Sequence, residues 1–468
     1  LVRFFAQCSH IPLRNIQSIG KLCFPENEHQ HGNTAPHQVQ VNGCMVKASL
    51  VSLFAIILAS ALAQLASSAL LTSLPLQIAS IGGSASQAGL VAGAYSLGFM
   101  VGCMRGVRMI NRIGHIRAFA GAAGLTALLV LLFKNTESII FWTVLRFFMG
   151  AAFAVLFATA DAWLNESIKD EVRGRILSVN SIVIGAMAIL SQIFVAKFTE
   201  VPLQMLELLS AVLLAAVVLL CMTRSVPPRT YKAKRIKFKE IWAQSPVAVL
   251  GAFASGAIVT SLLTIVPYSL SKAGVGGSTT ALMIAMIYIG RLMFQWPFGS
   301  LADRMDRRWL ILGSSALITV IMVTFLIADP FTGWNSGFLR NYHLLSMLGL
   351  VLVVLGGLSF PLQSICVAHA FERKPESSVA LSTYLLFIWA AGSVAGPTLI
   401  SILAPVLGSK TPDLILIGLS GSLALFTAYR LYVAKLFFVR RSTRKPLLIV
   451  SNMPYASYHQ AQPSDKYE

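Results

Sequence analysis

The chain has 468 residues, of which 56% are hydrophobic and 12% charged, and its mean hydropathy is +0.72. That is more apolar surface than a water-soluble core can use, so the solvent for most of the chain is lipid and the bilayer is its first partner. Basic residues outnumber acidic ones 37 to 18. In a soluble protein this would point to nucleic acid, but here the basic residues fall in short connections between apolar runs, and nucleic acid is not an expected partner.

Residues 1–44 are polar, rich in His, Gln and Asn, and carry no helical period. Met45 is the first methionine, so the stretch before it is expected to be disordered or untranslated. His29, His31 and His37 read as a solvated tail and not as metal ligands. The six cysteines are scattered without a CxxC, so no disulfide framework or zinc site is indicated, and no metal or cofactor is expected.

From there, apolar runs of bilayer-crossing length recur twelve times, over 47–70, 85–105, 116–134, 138–161, 176–196, 206–223, 247–270, 280–300, 309–328, 343–367, 379–402 and 413–437. The long basic connection 224–245 divides them into a six-helix half over 45–223 and another over 246–438, with a tail at 439–468. Arg175-Ile-Leu-Ser178 at the start of span five resembles Val379-Ala-Leu-Ser382 at the start of span eleven, which supports a repeat. The expected fold is therefore an all-α integral membrane protein of two six-helix bundles. Lys and Arg concentrate in alternate connections, including Arg108, Arg112, Arg117, Arg173, Arg175, Arg304, Arg307 and Arg308. By the positive-inside rule these connections and both termini are cytoplasmic, in the cytoplasmic (inner) membrane. Contact with anionic lipid is the plain reading of such basic runs.

Polar residues inside the spans are the candidate substrate contacts. Arg146 lies about 10 Å from the outer end of span four, and an unpaired cation there costs about 2.5 to 3.5 kcal/mol, so it must face the bundle interior. Arg291 stands near mid-depth in span eight. Gln64, Gln192, Gln295 and Gln363 are the remaining large polar groups within spans. Asp161 is about 22 Å beyond Arg146 along the helix, near the cytoplasmic end, and no carboxylate is expected at the depth of the arginines. Two interior arginines without interior acids give a positively biased cavity, hence an anionic or strongly hydrogen-bonding substrate. Arginines satisfied by backbone carbonyls are the competing reading.

Two connections carry ordered charge. Gly299-Ser-Leu-Ala-Asp303-Arg304-Met-Asp306-Arg307-Arg308 links spans eight and nine, and Gly106-Val-Arg108-Met-Ile-Asn111-Arg112-Ile-Gly114-His115-Ile-Arg117 links spans two and three. The first resembles the GxLADRxGRR loop of major facilitator superfamily transporters, with Asp306 where glycine is usual. The second has Asn111 where the family's aspartate would stand. Leu145-Arg146-Phe-Phe-Met-Gly150 is similar to the family's intramembrane arginine motif. Three further stretches resemble the YcaD-like branch of that superfamily: Tyr95-Ser-Leu-Gly98-Phe, Asp161-Ala-Trp163-Leu-Asn165 with Arg173-Gly174-Arg175, and Gln295-Trp296-Pro297-Phe-Gly299.

The resemblance implies a secondary transporter working by alternating access. It implies gates formed by Asp303, Arg304, Asp306, Arg307 and Arg308 in one half, and by Arg108, Asn111, Arg112, Gly114, Arg117, Asp161, Arg173 and Arg175 in the other, with the charged loop pairing to the neighbouring bundle. The family's GxxxGP signature is missing from span five, where Ser191 and Gln192 stand. A related Gly392-Ser-Val-Ala-Gly396-Pro397 in span eleven is expected to make a close helix approach. Protons are a candidate coupling ion, through Asp161 or Asp303, with facilitated diffusion the alternative. With no Gly-rich phosphate loop and no His and carboxylate cluster, an enzyme is not expected. A monomeric carrier of a small organic anion, drug or metabolite is the reading, and a transporter-like receptor or scaffold that binds without translocating is its rival.

Overall fold

A computed structural model describes residues 50–135, 137–167, 170–222, 241–243, 245–328, 342–372 and 378–436. The expected N-terminal extension 1–44, positions 224–240 and 244 of the connection, and the tail 439–468 lie outside the described residues.

In hydrocarbon every backbone N–H and C=O must be satisfied within the segment, which leaves the helix as the form available to such apolar runs. Twelve long helices result among the described residues: α1 (Leu50–Ser80), α2 (Ala85–Ile113), α3 (His115–Leu132), α4 (Ile139–Ser167), α5 (Asp170–Phe198), α6 (Pro202–Cys221), α7 (Pro246–Lys272), α8 (Gly277–Arg304), α9 (Arg307–Ala328), α10 (Tyr342–Phe371), α11 (Ser378–Leu407) and α12 (Thr411–Leu436). Each is long and apolar enough to cross a membrane, α11 and α12 falling within one continuous apolar stretch. Local chemistry fixes their ends. The Ser84 side chain accepts from the Gln87 N–H while the Gln87 side chain accepts from the Ser84 N–H, a reciprocal cap that starts α2. Pro202 and Pro246 open α6 and α7, where a missing N–H costs nothing. Gly114, at φ 84°, lets the chain reverse between α2 and α3, a backbone region that a side chain disfavours. Its place in the basic loop is thereby explained by the turn itself.

The observed helices match the expected spans in order and number and are mostly longer. The largest difference is α1, expected to end near residue 70 and found to run to Ser80. Ser68, Thr72 and Ser73 are buried, so this polar stretch faces protein and not a loop.

Two large apolar clusters form, one mainly from α1 to α6 with Ala281 of α8, the other mainly from α7 to α12 with Ala188 of α5. Glycines set the closest helix crossings, and they do so in register in the two halves. A Cβ added at Gly98 of α2 would lie 1.8 Å from the Phe147 carbonyl oxygen on α4, and one at Gly290 of α8 would lie 1.9 Å from that of Val353 on α10. Reciprocally, Gly150 would meet Tyr95 O at 2.0 Å and Gly356 would meet Ile287 O at 2.0 Å. Small residues at such crossings let backbones approach and gain packing that lipid does not supply. On α11, Gly392 and Gly396 meet the Phe253 and Ala257 carbonyls of α7 at 1.9 and 2.5 Å, the close approach expected of that motif.

The halves meet most closely at one end, here called the Gly82 end. There the Tyr268 hydroxyl of α7 donates to the Gly83 carbonyl at 3.0 Å, Ser278 of α8 donates to Ala196 O at 2.8 Å, and Ser86 of α2 donates to Ser401 O on α11. A Cβ at Gly89 would sit 2.5 Å from Pro397 O, and one at Gly277 would sit 2.0 Å from Thr199. The opposite end carries the α8–α9 turn and is called the Asp306 end. The α5–α8 contact persists toward it as far as the Gln295 to Ser181 hydrogen bond at 3.1 Å. Along α8, burial is dense from Thr280 to Gly290, yet none of the residues from Arg291 to Leu301 is buried. Among the described residues, the contacts between the bundles are densest toward the Gly82 end.

Candidate functional site

Two adjacent serines on α1 organise the polar interior. Ser67 Oγ and the Tyr95 hydroxyl of α2 lie 3.3 Å apart. Ser68 Oγ accepts from Gln64 Nε2 at 2.7 Å, and its carbonyl accepts from Gln192 Nε2 of α5 at 3.4 Å. The Tyr288 hydroxyl of α8, from the other half, sits against Ser68. By helix rise these groups lie roughly 9 to 24 Å from the Gly82 end, around the middle of a core about 30 Å thick.

Each tyrosine is paired with an arginine. The Arg146 guanidinium lies over the Tyr95 ring, 4.2 Å from its centroid, and the Gly98 and Gly150 crossings hold the two helices at that spacing. Arg291 is three residues beyond Tyr288 and lies over the Phe360 ring of α10 at 5.0 Å, while the Tyr288 and Phe360 centroids are 6.0 Å apart. A desolvated cation on an aromatic face is stabilised by about 2 kcal/mol, against an insertion cost of about 2.5 to 3.5 kcal/mol. The rings thus offset much of the cost of each cation but provide no lone pair for its N–H groups. Arg146 is 2% exposed and its Nε has no hydrogen-bond partner. Among the described residues no carboxylate pairs with either arginine.

Of the residues expected to bind substrate, Arg146, Gln64, Gln192 and Arg291 gather on this serine pair. Gln295 and Gln363 do not. Gln295 lies lower on α8, bonded to Ser181, and Gln363 is buried on α10 one turn past Phe360, with its Oε1 unpartnered. Tyr95, Tyr288, Ser67, Ser68 and Phe360 were not anticipated as site residues. The available signal was their helical spacing from the arginines and packing glycines: Tyr95 precedes Gly98 by three residues, and Arg146 precedes Gly150 by four.

Asp161 corrects one expectation. It lies toward the Asp306 end as its position implies, but it is 3% exposed, so a buried carboxylate is present away from the depth of the arginines.

The charged loop at the Asp306 end forms a cluster of ion pairs among the described residues. Arg307 is buried and donates to the Ala368 carbonyl, with Glu372 at 3.3 Å and Asp303 at 3.9 Å. Asp306 accepts from the Arg308 backbone N–H at 3.0 Å and from its guanidinium at 2.8 Å, and His369 Nδ1 lies 3.8 Å from Glu372. These pairs fasten the α8–α9 turn to the end of α10. Burial raises both the Asp306 and Glu372 carboxyls, but the Arg308 bonds on Asp306, and His369 with Arg307 on Glu372, outweigh it and hold both below the usual carboxylate range. In the other half Arg108, Arg112 and Arg117 are exposed, and the side chains of Asn111, Arg173 and Arg175 lie outside the described residues. A separate pocket lined by Leu262, Val266, Met322, Phe325 and Asp413 opens near the Gly82 end of the second bundle, away from both arginines.

Comparison with known proteins places this geometry. The profile described as Major Facilitator Superfamily matches residues 56–276 and 248–450. An uncharacterised MFS-type transporter, YcaD, of Escherichia coli O6:K15:H31 is 26% identical over 350 residues, covering 72% of this chain and 85% of that protein. YcaD of Escherichia fergusonii is 25% identical over 332 residues, covering 68% and 79%. Among solved structures, the nucleoside transporter NupG superposes with a TM-score of 0.66 at 11% identity, over 84% of this chain and all of that one. A bacterial homologue of the lysosomal transporter Spinster, inward-facing and unoccupied, gives 0.64 at 14% identity, over 84% and 98%. At such identities these structures share the fold alone.

Proposed function

Because the chain belongs to the major facilitator superfamily, we propose that it carries a small organic anion across the membrane, through a site between the halves centred on Arg146 and Arg291. The observation that carries the reading is Arg146: a buried guanidinium, stacked on Tyr95, with no carboxylate partner among the described residues and an orphaned Nε. Such a group retains most of its hydrogen-bonding capacity for a ligand. A membrane cation of this kind is costly to keep unless it serves a substrate or ion path.

Alternating access is supported by two bundles that each carry a large apolar core. The exposed Arg105, Arg108, Arg112, Arg117 and Arg304, with the partly exposed Arg308, all lie at the Asp306 end, which supports a cytoplasmic placement of that end and of both termini. The described arrangement is then inward-facing. We read the chain as a monomeric carrier in the cytoplasmic membrane and not as an enzyme, with Asp161 or Asp303 as candidate proton carriers. The charged residues of the α8–α9 turn act in gating by holding α8, α9 and α10 together as one moving body.

Counterflow of labelled organic anions in proteoliposomes tests this. Arg146→Ala and Arg291→Ala should each abolish or strongly reduce exchange. Normal transport in both variants would refute the anion site. Saturable binding without counterflow would favour a receptor or scaffold instead.

A further inference from the structure

The arginines come one from each half, and both rest on aromatic rings with no carboxylate partner among the described residues. Their surroundings differ in a way that bears on the ligand. Arg146 is sealed between α2 and α4, whereas Arg291 is half-buried, at the level where α8 loses its cover. Between their two tyrosines stands the Ser67–Ser68 pair, touched from one side by Tyr95 and from the other by Tyr288. A single small anionic head on Arg146 would leave the second cation unanswered in the same interior. The glutamine beside the pair adds a second constraint. Gln192 Nε2 donates to the Ser68 carbonyl, which can only accept, and to Ser191 Oγ at 2.9 Å, so the amide orientation is fixed. Its Oε1 is then a fully buried acceptor with no donor, a state that costs about 1 to 3 kcal/mol until something donates to it.

We infer that the solute is a two-headed organic acid, one anionic group for each arginine, carrying a hydroxyl or amine that donates to Gln192 Oε1. This rests on the anion-carrier reading and makes it specific. A ligand of this kind ties the first bundle to the second through its two ends. Its binding energy therefore differs between states in which the arginines are near or far apart, which is what a substrate needs in order to shift the rocking equilibrium.

The test uses the full chain in detergent and equilibrium binding of chemically matched probes: succinate, glutarate and adipate against butyrate, valerate and hexanoate, and malate against succinate. The expected result is that the best dicarboxylate binds at least tenfold tighter than the monocarboxylate of equal carbon number. Arg291→Ala should bring that ratio near one, and malate should exceed succinate in the natural chain but not in Gln192→Leu. Equal binding of the two series overturns the two-headed inference, and if Arg146→Ala still abolishes that binding, the anion-carrier reading stands. Failure of every acid to bind, in a preparation whose thermal unfolding shows it folded, overturns the inference. Counterflow of some other solute unaffected by Arg146→Ala would then overturn the reading beneath it as well.

Discussion

Replacing Gly150 with alanine tests whether a glycine crossing sets the position of the buried arginine. The added Cβ would lie 2.0 Å from the Tyr95 carbonyl oxygen and 2.8 Å from the Phe99 nitrogen, both backbone atoms of a packed helix that cannot rotate aside. Ordinary contact begins at 3.4 Å, so α2 must withdraw by 3.4 − 2.0 = 1.4 Å at this level. Overpacking of this sort costs about 1 to 3 kcal/mol, partly offset by the roughly 1 kcal/mol that alanine gains over glycine in a helix. Gly121 on α3, with nothing within 4 Å of its Cβ, is the control: Gly121→Ala keeps the gain and meets no obstacle. Thermal unfolding in detergent should therefore place Gly150→Ala below Gly121→Ala by the equivalent of about 1 to 3 kcal/mol. The same withdrawal carries the Tyr95 ring away from the guanidinium that now lies 4.2 Å from it, so anion binding should weaken along with stability. Indistinguishable melting curves for the two variants would refute the claim that this crossing is at its closest limit.

Three other outcomes follow from the geometry. Gly89→Leu puts a Cβ 2.5 Å from Pro397 O at the Gly82 end, so closure there should fail, and a cysteine at Ser401 should react with a membrane-impermeant thiol reagent far faster than in the natural background; an unchanged rate would contradict this. Arg307→Ala leaves Glu372 beside His369 without its cation and should cost on the order of 3 kcal/mol, while adding Glu372→Gln to it should recover part of the loss; denaturation midpoints of the single and double variants decide. Asp306 and Glu372 are both held below the ordinary carboxylate range, so their stabilising contribution is complete above that range and disappears only as pH falls through the lowered folded values. Unfolding followed from pH 8 to pH 3 should show the contribution of the two carboxylates lost below about pH 4, and Asp306→Asn should remove part of that acid-side loss.

The fold was legible because lipid makes every crossing declare itself as a run of about 20 apolar residues, and because basic residues cannot be scattered evenly among the connections. Where α1 ends was not legible. Ser67, Ser68, Thr72 and Ser73 carry the same hydroxyls whether they flank a loop or face a buried neighbour, and only packing decides between the two. Arg146 and Arg291 were legible for the opposite reason: a cation inside an apolar run is expensive anywhere, so it marks itself without reference to the fold.

The partners of those cations were hidden by distance along the chain. Tyr95 is 51 residues before Arg146, and tyrosines are ordinary in membrane helices; what joins the two is the α2–α4 crossing, in which Gly98 and Gly150 each face the other helix's backbone. In the charged loop, Arg307 meets Glu372, the Ala368 carbonyl and Asp303 among the described residues. A pattern of charges along a loop specifies that it will pair and leaves open with what. The choice here falls to the end of α10 because α8 and α10 are already drawn together by Gly290 and Gly356, so the nearest acceptors to a buried Arg307 are those the glycines deliver. In both halves, then, the placement of charge is downstream of where two backbones can touch, and the glycine positions are the part of the sequence from which the site geometry has to be read.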